Sequence, residues 1–406
     1  MPTLSERRVV FLVGAVQFVN ILDFTMVMPL GPDFAAELGI PLSQIGLLAG
    51  AYAASAAVVG LLASFFLDRF DRRSALAVAM LGLGLGTAAG GLCTGFRSML
   101  AARLVAGLFG GPATSLALAI IADVIPRERR GKALGAVAGA LSVAQVLGIP
   151  LGLRLARMSS WRLPFFVVAV LGELVTLSAI ALLPRLRGHL AARAASGPGP
   201  SLRALLSRPI VLLSYSMTAV VMAAGFLLLP NVPAFVQGNL GYPRARLELL
   251  YATGGAATFV TNRLFGRLVD RLGSFRVGLG AAIAIAAVSV LLFAPPVAGL
   301  PVLPLFVGLA VTLGARNVAY NVLTNQVPRP DERARFLSLQ STVYHLASAL
   351  GATTSAHLLW ANPDRSLGGM GRVLAVSLVL TALFPVIARA VERRLLGEAA
   401  AAARGD

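Results

Sequence analysis

The chain has 406 residues, of which 57% are hydrophobic and only 13% are charged. A soluble protein of this composition would lack the polar surface that covers a core, so an ordinary globular domain is excluded. The net charge of +18 raises the possibility of nucleic-acid binding, but the arginines lie in short loops between apolar runs, which argues against it. Cys93 is the only cysteine, which excludes internal disulfides and cysteine-rich metal sites.

Apolar stretches long enough to cross a bilayer recur along the whole chain. They predict an all-α polytopic membrane protein with twelve transmembrane helices: 8–30, 43–66, 74–95, 97–122, 132–156, 162–183, 208–229, 245–265, 275–294, 299–325, 334–359 and 371–390. We expect an N-terminal six-helix bundle at 1–183, a cytoplasmic linker at 184–207, a C-terminal six-helix bundle at 208–390 and a cytoplasmic tail at 391–406. The tail after Arg389 is predicted to be a short surface helix that ends in disorder.

Basic residues alternate between the two sides of these predicted helices. Arginines precede the first span and fill every second loop, whereas loops 31–42 and 295–301 contain neither lysine nor arginine. This asymmetry predicts that the cationic loops and both termini are cytoplasmic, in a protein of the inner cell membrane. The basic excess then reflects topology, with some attraction to anionic lipid headgroups.

Two sequence motifs occur twice at the same interval. The loop motif at 266–273, GRLVDRLG, corresponds to SFFLDRFD at 64–71, which lies 202 residues earlier and is followed by two arginines. The sequence DVIPR at 123–127 corresponds to NQVPR at 325–329 at the same distance. Two matches at one offset indicate two similar halves, the architecture of many secondary transporters.

These motifs, together with Arg103-x-x-x-Gly107-x-x-Gly110-Gly111 in span 4 and Gly148-Ile-Pro150-Leu-Gly152 in span 5, resemble the major facilitator superfamily. The resemblance covers essentially the whole chain and is greatest to the branch of 12-span drug:proton antiporters and sugar-efflux permeases. It implies two pseudo-symmetric helical bundles around a central cavity, transport by alternating access, and a monomer. It does not indicate the substrate.

The resemblance also implies a cytoplasmic gate in which Asp68, Arg72 and Asp123 hold the outward-open state. We expect further gate residues in both loop motifs: Arg69, Arg73, Gly266, Asp270, Arg271 and Gly273. The first copy departs from the pattern, because Ser64 and Asp71 replace its two glycines. The charge of Asp71 is expected to weaken or rewire the gate. The alternative is that these charges only anchor the loops at the membrane surface.

Ionisable groups inside predicted spans are costly and therefore functional candidates. Asp23 lies inside span 1, and Asn20 lies one helical turn before it. Desolvation favours the neutral, proton-carrying form of such a carboxyl, whereas a nearby arginine favours its charged form. Because spans 1 and 4 line the cavity in the resembled fold, Asp23 and Arg103 are predicted to couple protonation to movement. The alternative is a static polar brace between two helices.

Other polar residues inside spans are candidates for substrate binding. Arg316, with its neighbours, forms a polar patch on span 10, and His345 lies on span 11. The predicted substrate-binding residues are Asn20, Tyr52, Gln145, Tyr215, Asn231, Arg316, Asn317, Tyr320 and His345. The commoner role of such residues in bundles is hydrogen bonding between helices. Glu173 in span 6 is a weaker candidate, either a protonated acid bonded to a neighbouring helix or a residue that faces lipid or a partner subunit.

The sequence contains no phosphate-binding loop, no catalytic constellation and no metal-ligand cluster. We therefore predict a carrier rather than an enzyme, with no cofactor, driven by a gradient. Its predicted partners are a small-molecule substrate, protons and the lipid bilayer. The favoured function is proton-coupled export of small amphipathic or hydrophobic molecules. Import of a sugar or organic acid, lysolipid transport and non-transporting sensing remain alternatives.

Overall fold

The computed structural model describes residues 6–66, 69–184, 186, 202–294, 301–329 and 332–404. Most of the predicted linker 184–207 lies outside these residues. The described chain is almost entirely helical, and its helices in chain order are α1 (Glu6–Leu38), α2 (Ile45–Phe66), α3 (Arg72–Gly91), α4 (Phe96–Val124), α5 (Arg127–Val143), α6 (Ile149–Met158), α7 (Arg162–Leu182), α8 (Leu202–Leu206), α9 (Pro209–Leu228), α10 (Val232–Gly238), α11 (Leu247–Leu272), α12 (Ser274–Phe293), α13 (Val302–Gln326), α14 (Arg333–Leu358) and α15 (Met370–Arg404).

Helical segments cover the twelve predicted spans, but the spans differ in polarity. Within the described residues, nine helices are long and apolar enough to cross a membrane by length and composition. The predicted spans 132–156, 245–265 and 334–359 are helical but fall outside this set. The first of these is divided into α5 and α6, of 17 and 10 residues, and neither piece is long enough to span by itself. The other two carry more polar residues; α11, for example, contains Glu248 and Arg263.

The chain divides into two compact units. Unit 1 comprises Met1–Gly197 together with Pro243–Ala252, and unit 2 comprises Pro198–Tyr242 and Thr253–Asp406. The segment Pro243–Ala252, which the sequence assigns to the C-terminal bundle, thus belongs to unit 1. It includes the first residues of α11.

The two units repeat one packing scheme. In unit 1, α3 packs against α4 and α7, and in unit 2 the corresponding α12 packs against α13 and α15. Glycines permit the close approach within unit 1: a Cβ atom at Gly86 would lie 2.7 Å from the backbone nitrogen of Ala106. The glycines Gly82, Gly84 and Gly86 therefore serve helix packing.

The fifth predicted span changes its hydrogen-bonding pattern midway. α5 is followed by a π-helical turn at Ala144–Gly148 and then by α6, with Pro150 in its first turn. Proline has no backbone N–H to donate to the preceding turn, so the helical ladder must be interrupted near this point. The interruption takes the form of a π-turn directly before Pro150, and this turn contains Gln145.

The C-terminal region differs from the prediction. The tail after Arg389 is helical, as expected, but it is not a short helix of its own, because α15 continues without a break from Met370 to Arg404. Ala388 and Val391 are completely buried, so the last helix continues to pack against unit 2 beyond the predicted end of the span. The prediction also missed a short antiparallel hairpin before α15, formed by β1 (Trp360–Ala361) and β2 (Leu367–Gly368).

Candidate functional site

A carboxylate and a guanidinium form an ion pair in the interior of unit 1. Arg103 on α4 donates from Nη1 to Asp23 Oδ1 at 3.0 Å and from Nη2 to Asp23 Oδ2 at 2.9 Å. The Asp23 side chain on α1 is 0% exposed and that of Arg103 is 1% exposed. Because both Nη atoms bond the carboxylate, the geometry is bidentate, the strongest form of this pair.

Thr87 on α3 adds a third helix to this pair. Its Oγ1 lies 2.7 Å from Asp23 Oδ1 and 2.8 Å from the carbonyl oxygen of Leu83. A hydroxyl has one proton to donate, so Thr87 can turn from the carboxylate to its own helix when the charge on Asp23 changes. No sequence signal points to Thr87, because threonine is common in transmembrane helices and usually bonds the preceding turn.

Asn20 and Tyr52 extend the polar network from the ion pair. Tyr52 Oη on α2 donates to Asn20 Oδ1 at 3.2 Å, and Asn20 Nδ2 donates to the carbonyl oxygen of Gly110 at 2.7 Å. The Arg103 guanidinium lies 4.8 Å from the centre of the Tyr52 ring, within cation–π range. A movement of Arg103 would therefore change its contact with the Tyr52 ring, and a shift of Tyr52 would change its hydrogen bond to Asn20.

The glycines of span 4 make room for this network. A Cβ atom at Gly110 would overlap Tyr52 Oη, and one at Gly107 would overlap Ser55 Oγ and the backbone of Tyr52. Since positions 103, 107 and 110 lie on one helical face, the sequence pattern places an arginine and a glycine surface together against α2. The motif thus specifies both the charge and the space that the neighbouring tyrosine needs.

Unit 2 contains a second polar cluster, between α9, α13 and α14. Tyr320 Oη lies 3.0 Å from Thr218 Oγ1 and accepts from Gln340 Nε2 at 2.9 Å. Arg316, one turn earlier on α13, is 3% exposed. Its Nη2 lies 3.4 Å from Asn317 Oδ1, and within the described residues it has no carboxylate partner.

The remaining predicted substrate residues occupy different surroundings. Tyr215 is buried, stacks on Phe336 and donates to its carbonyl oxygen at 3.1 Å. Asn231 is 0% exposed and donates to Ser355 Oγ at 3.1 Å. These bonds join helices of unit 2, the commoner role that the sequence analysis considered. His345 is half-buried beside Tyr344, and Gln145 is half-buried in the π-turn of unit 1.

Glu173 lies against α3. A Cβ atom at Gly84 would overlap Glu173 Oε1, and this oxygen is buried with no hydrogen-bond partner among the described residues. The glutamate therefore packs against α3, but no hydrogen bond to that helix is formed by this oxygen among the described residues.

The first loop motif is described only in part. Asp68 lies outside the described residues, Arg69 is exposed and Arg73 is half-buried. Arg72 Nε lies 3.2 Å from Asp123 Oδ2, so two of the three residues expected in the gate are paired. Asp71 has a role that the sequence analysis missed: its Oδ1 accepts from the backbone N–H of Arg73 and Ser74 and caps α3.

The second loop motif forms a tight helix connection. Gly273 has φ of 86°, a conformation that favours glycine, and it precedes the first residue of α12. Gly266 lies within α11, where a Cβ atom would have no neighbour within 4 Å. Asp270 and Arg271 are exposed at the end of α11, and among the described residues neither has an ion-pair partner.

Ion pairs also occur at the opposite end of unit 1. Arg244 bonds Asp33 through Nε at 2.7 Å and Nη2 at 2.5 Å. Arg157 Nε lies 2.8 Å from Glu248 Oε1, and Arg154 is 3.8 Å from the same carboxylate. We call these contacts the Asp33–Glu248 clamp, because they hold the segment Pro243–Ala252 within unit 1.

The clamp corrects the prediction that every cationic loop lies on the cytoplasmic side. By the alternation of helices, the loop with Arg244 and Arg246 lies at the same end as the arginine-free loop 31–42, opposite to Arg72 and Asp123. Arg162 is at this end too and bonds Glu37. Ion pairs with acidic residues explain why these arginines lie at this end of unit 1. Acidic residues in the facing segments were the sequence signal that could have predicted these pairs.

Apolar helices long enough to span a bilayer, with a buried ion pair between them, define a polytopic membrane transport protein. Residues 13–352 match the family model of the Major Facilitator Superfamily. The chain therefore belongs to the major facilitator superfamily, and its fold is that of these transporters.

The chain is similar to individual members of this superfamily in sequence and in structure. The Chloramphenicol resistance protein of Streptomyces lividans is 30% identical over 249 residues, which are 61% of this chain and 62% of that protein. The alignment thus spans less than two thirds of the relative. Among solved structures, a bacterial homolog of the human lysosomal transporter Spinster has a TM-score of 0.73 at 18% identity, covering 97% of this chain and 98% of that one. A D-xylose–proton symporter has a TM-score of 0.72 at 16% identity, covering 94% and 96%. These structures show the fold alone.

Proposed function

We propose that the protein is a proton-coupled antiporter that exports small amphipathic or hydrophobic molecules by alternating access. In this proposal it works as a monomer in the inner membrane, with both termini in the cytoplasm. The observation that carries it is the completely buried, bidentate pair of Asp23 and Arg103. An ionisable group inside a transmembrane bundle is expensive to keep and marks a proton or ion pathway.

The pair provides a physical route from protonation to movement. While Asp23 is ionised, the two charges compensate each other. When Asp23 accepts a proton, Arg103 is left charged and uncompensated in a desolvated place, which is strongly unfavourable. A conformation that gives the guanidinium water or another acceptor then becomes favoured, so proton binding shifts the population between two states.

The Asp33–Glu248 clamp is the element that we expect to open and close in this cycle. Arg244 has a bidentate contact with Asp33, and both side chains are about one quarter exposed. Partly hydrated ion pairs contribute little net stability, so they can break without a large penalty. We infer that the segment Pro243–Ala252 leaves unit 1 when access changes sides.

Two observations support the proposed cargo. Arg316 is buried without a carboxylate partner among the described residues, so a substrate with an electron-rich oxygen would find a donor there. The similarity to a chloramphenicol resistance protein favours export of compounds of that size and polarity. Chloramphenicol is therefore the first probe for this site.

The test uses everted membrane vesicles with an acid interior and a pH-sensitive dye. Chloramphenicol, a lipophilic cation, a sugar and a lysolipid are added in turn. The proposal predicts release of protons on addition of at least one of the first two compounds, together with accumulation of that compound inside. Proton movement in the same direction as a sugar would indicate symport instead. No flux with any compound would favour a sensor.

A further inference from the structure

A groove runs along the surface of unit 1 between α1 and α7. Its volume is about 530 Å³, and nine of its twelve lining residues are apolar. The exceptions are Ser178, whose hydroxyl donates to the carbonyl oxygen of Leu174 at 2.7 Å, and two arginines at one end, Arg7 and Arg8. The groove is thus apolar over most of its length and cationic at one end only.

The two arginines are available to a ligand. Both side chains are exposed, and within the described residues neither forms an ion pair. The neighbouring carboxylate of Glu6 is already bonded by Arg129 Nη1 at 3.1 Å. Two arginines at one end of the same groove match an anion such as a phosphodiester, to which arginine donates in a fork.

The length of the groove matches one leaflet of a bilayer. On α1 the lining extends from Arg7 to Val19, and at ~1.5 Å per residue this is about 18 Å. One leaflet contributes about 15 Å of hydrocarbon. Phe11 is 79% exposed beside the arginines, which places an aromatic ring between the charged end and the apolar remainder. Aromatic side chains are typical of this depth at a membrane surface.

From this charge pattern we propose that the groove between α1 and α7 is a binding site for an anionic phospholipid. The phosphate binds Arg7 and Arg8, and one acyl chain lies along Phe18 and Leu174. The occupant belongs to the leaflet at the side of the N-terminus. This site is separate from the Asp23 network, and the inference does not depend on the direction or substrate of transport.

The test measures lipid binding directly. Purified protein receives equal amounts of phosphatidylglycerol and phosphatidylcholine with identical acyl chains, and native mass spectrometry counts the bound lipids. We expect a preference for phosphatidylglycerol. Each arginine near an anionic lipid contributes roughly 5-fold in affinity, so R7Q/R8Q should lose about 25-fold. The matched control is R393Q/R394Q, which removes two adjacent exposed arginines from α15.

A second pair of variants tests the apolar part of the groove. Leu174→Trp fills the groove at a position that is 54% exposed and should reduce phosphatidylglycerol binding with both arginines intact. Val170→Trp is the control, since Val170 is 59% exposed on the same helix and does not line the groove. Thermal melting checks that each variant folds.

Four results would overturn the proposal. The first three are equal binding of the two lipids by the wild type, an equal loss in R393Q/R394Q and in R7Q/R8Q, and unaltered binding in Leu174→Trp. Competition by water-soluble glycerol 3-phosphate as effective as that by phosphatidylglycerol would also overturn it, because it would assign the arginines to a free phosphate compound.

Discussion

Arg103 and Asp23, 80 residues apart on α4 and α1, meet through two parallel hydrogen bonds in the interior of unit 1. Neither side chain is more than 1% exposed. The Nε atom of Arg103 is buried and has no partner among the described residues. The charges of the pair are therefore balanced, but its hydrogen bonds are incomplete. The Nε–H group of Arg103 can donate to another acceptor when the carboxylate is neutralised.

Because the charges of Asp23 and Arg103 compensate each other, mutations of the two residues should have strongly non-additive effects on stability. Asp23→Ala should destabilise the protein by about 3–5 kcal/mol, because it leaves the buried guanidinium without a counter-charge. Arg103→Met removes that charge, so the double variant should recover much of the loss. Melting in detergent of the wild type, both single variants and the double variant measures this interaction. Additive effects of the two mutations would contradict the pairing.

Gly110 should be intolerant of a methyl group. In Gly110→Ala the added Cβ overlaps Tyr52 Oη, so Tyr52 must move and lose its bond to Asn20. We expect a loss of transport of at least tenfold in vesicles with normal expression. The control is Gly135→Ala in α5, where a Cβ atom meets nothing within 4 Å, and which should stabilise its helix by about 0.5–1 kcal/mol. Equal activity of the two variants would show that transport does not depend on the space that Gly110 leaves for Tyr52.

Asp71 is predicted to stabilise the start of α3. Asp71→Ala removes the acceptor for the N–H groups of Arg73 and Ser74 and should cost about 1 kcal/mol. Hydrogen exchange of these two amides should accelerate, whereas Asp71→Ser should retain most of their protection. If the alanine and serine variants exchange alike, Asp71 does not act as the cap.

The Asp33–Glu248 clamp predicts a change in accessibility. Leu250 is completely buried in the segment held by the clamp, so a cysteine at this position reports its release. In a Cys93→Ser background, D33N should increase the rate of thiol labelling at L250C severalfold. E37Q is the matched control, because Glu37 lies at the same end of unit 1 but bonds Trp161 and Arg162. Equal rates with D33N and E37Q would show that Asp33 does not hold this segment.

The sequence predicts the elements of the site better than their contacts. Asp23 and Arg103 are visible as charges inside apolar runs, and the resemblance places their helices at one cavity. The bidentate geometry, Thr87 and the overlap that Gly110 avoids depend on side-chain positions in three dimensions. No periodicity of the sequence encodes these positions.

Other features became visible only in the three-dimensional structure. The contact between Asp33 and Arg244 joins residues 211 apart, and the sequence offers only an acidic residue and a basic residue in two predicted loops. The role of Asp71 could have been predicted, since an aspartate directly before a helix is a common N-cap. Its position inside a charged motif favoured an electrostatic interpretation instead. The length of α15 was missed because hydropathy falls after Arg389, although packing continues to Val391.

Proton coupling through Asp23 is tested most directly by Asp23→Asn in everted vesicles with an acid interior. The variant keeps the shape of the side chain and a hydrogen-bond acceptor for Arg103, but it cannot carry a proton. Asp364→Asn, an exposed residue of the hairpin, is the control for the same chemical change. When chloramphenicol, or another compound shown to be the substrate, is added, vesicles with the wild type and with the control variant should release protons. Asp23→Asn should release none while still exchanging labelled for unlabelled substrate. Proton release by Asp23→Asn at the wild-type rate would contradict the account and remove Asp23 from the proton pathway.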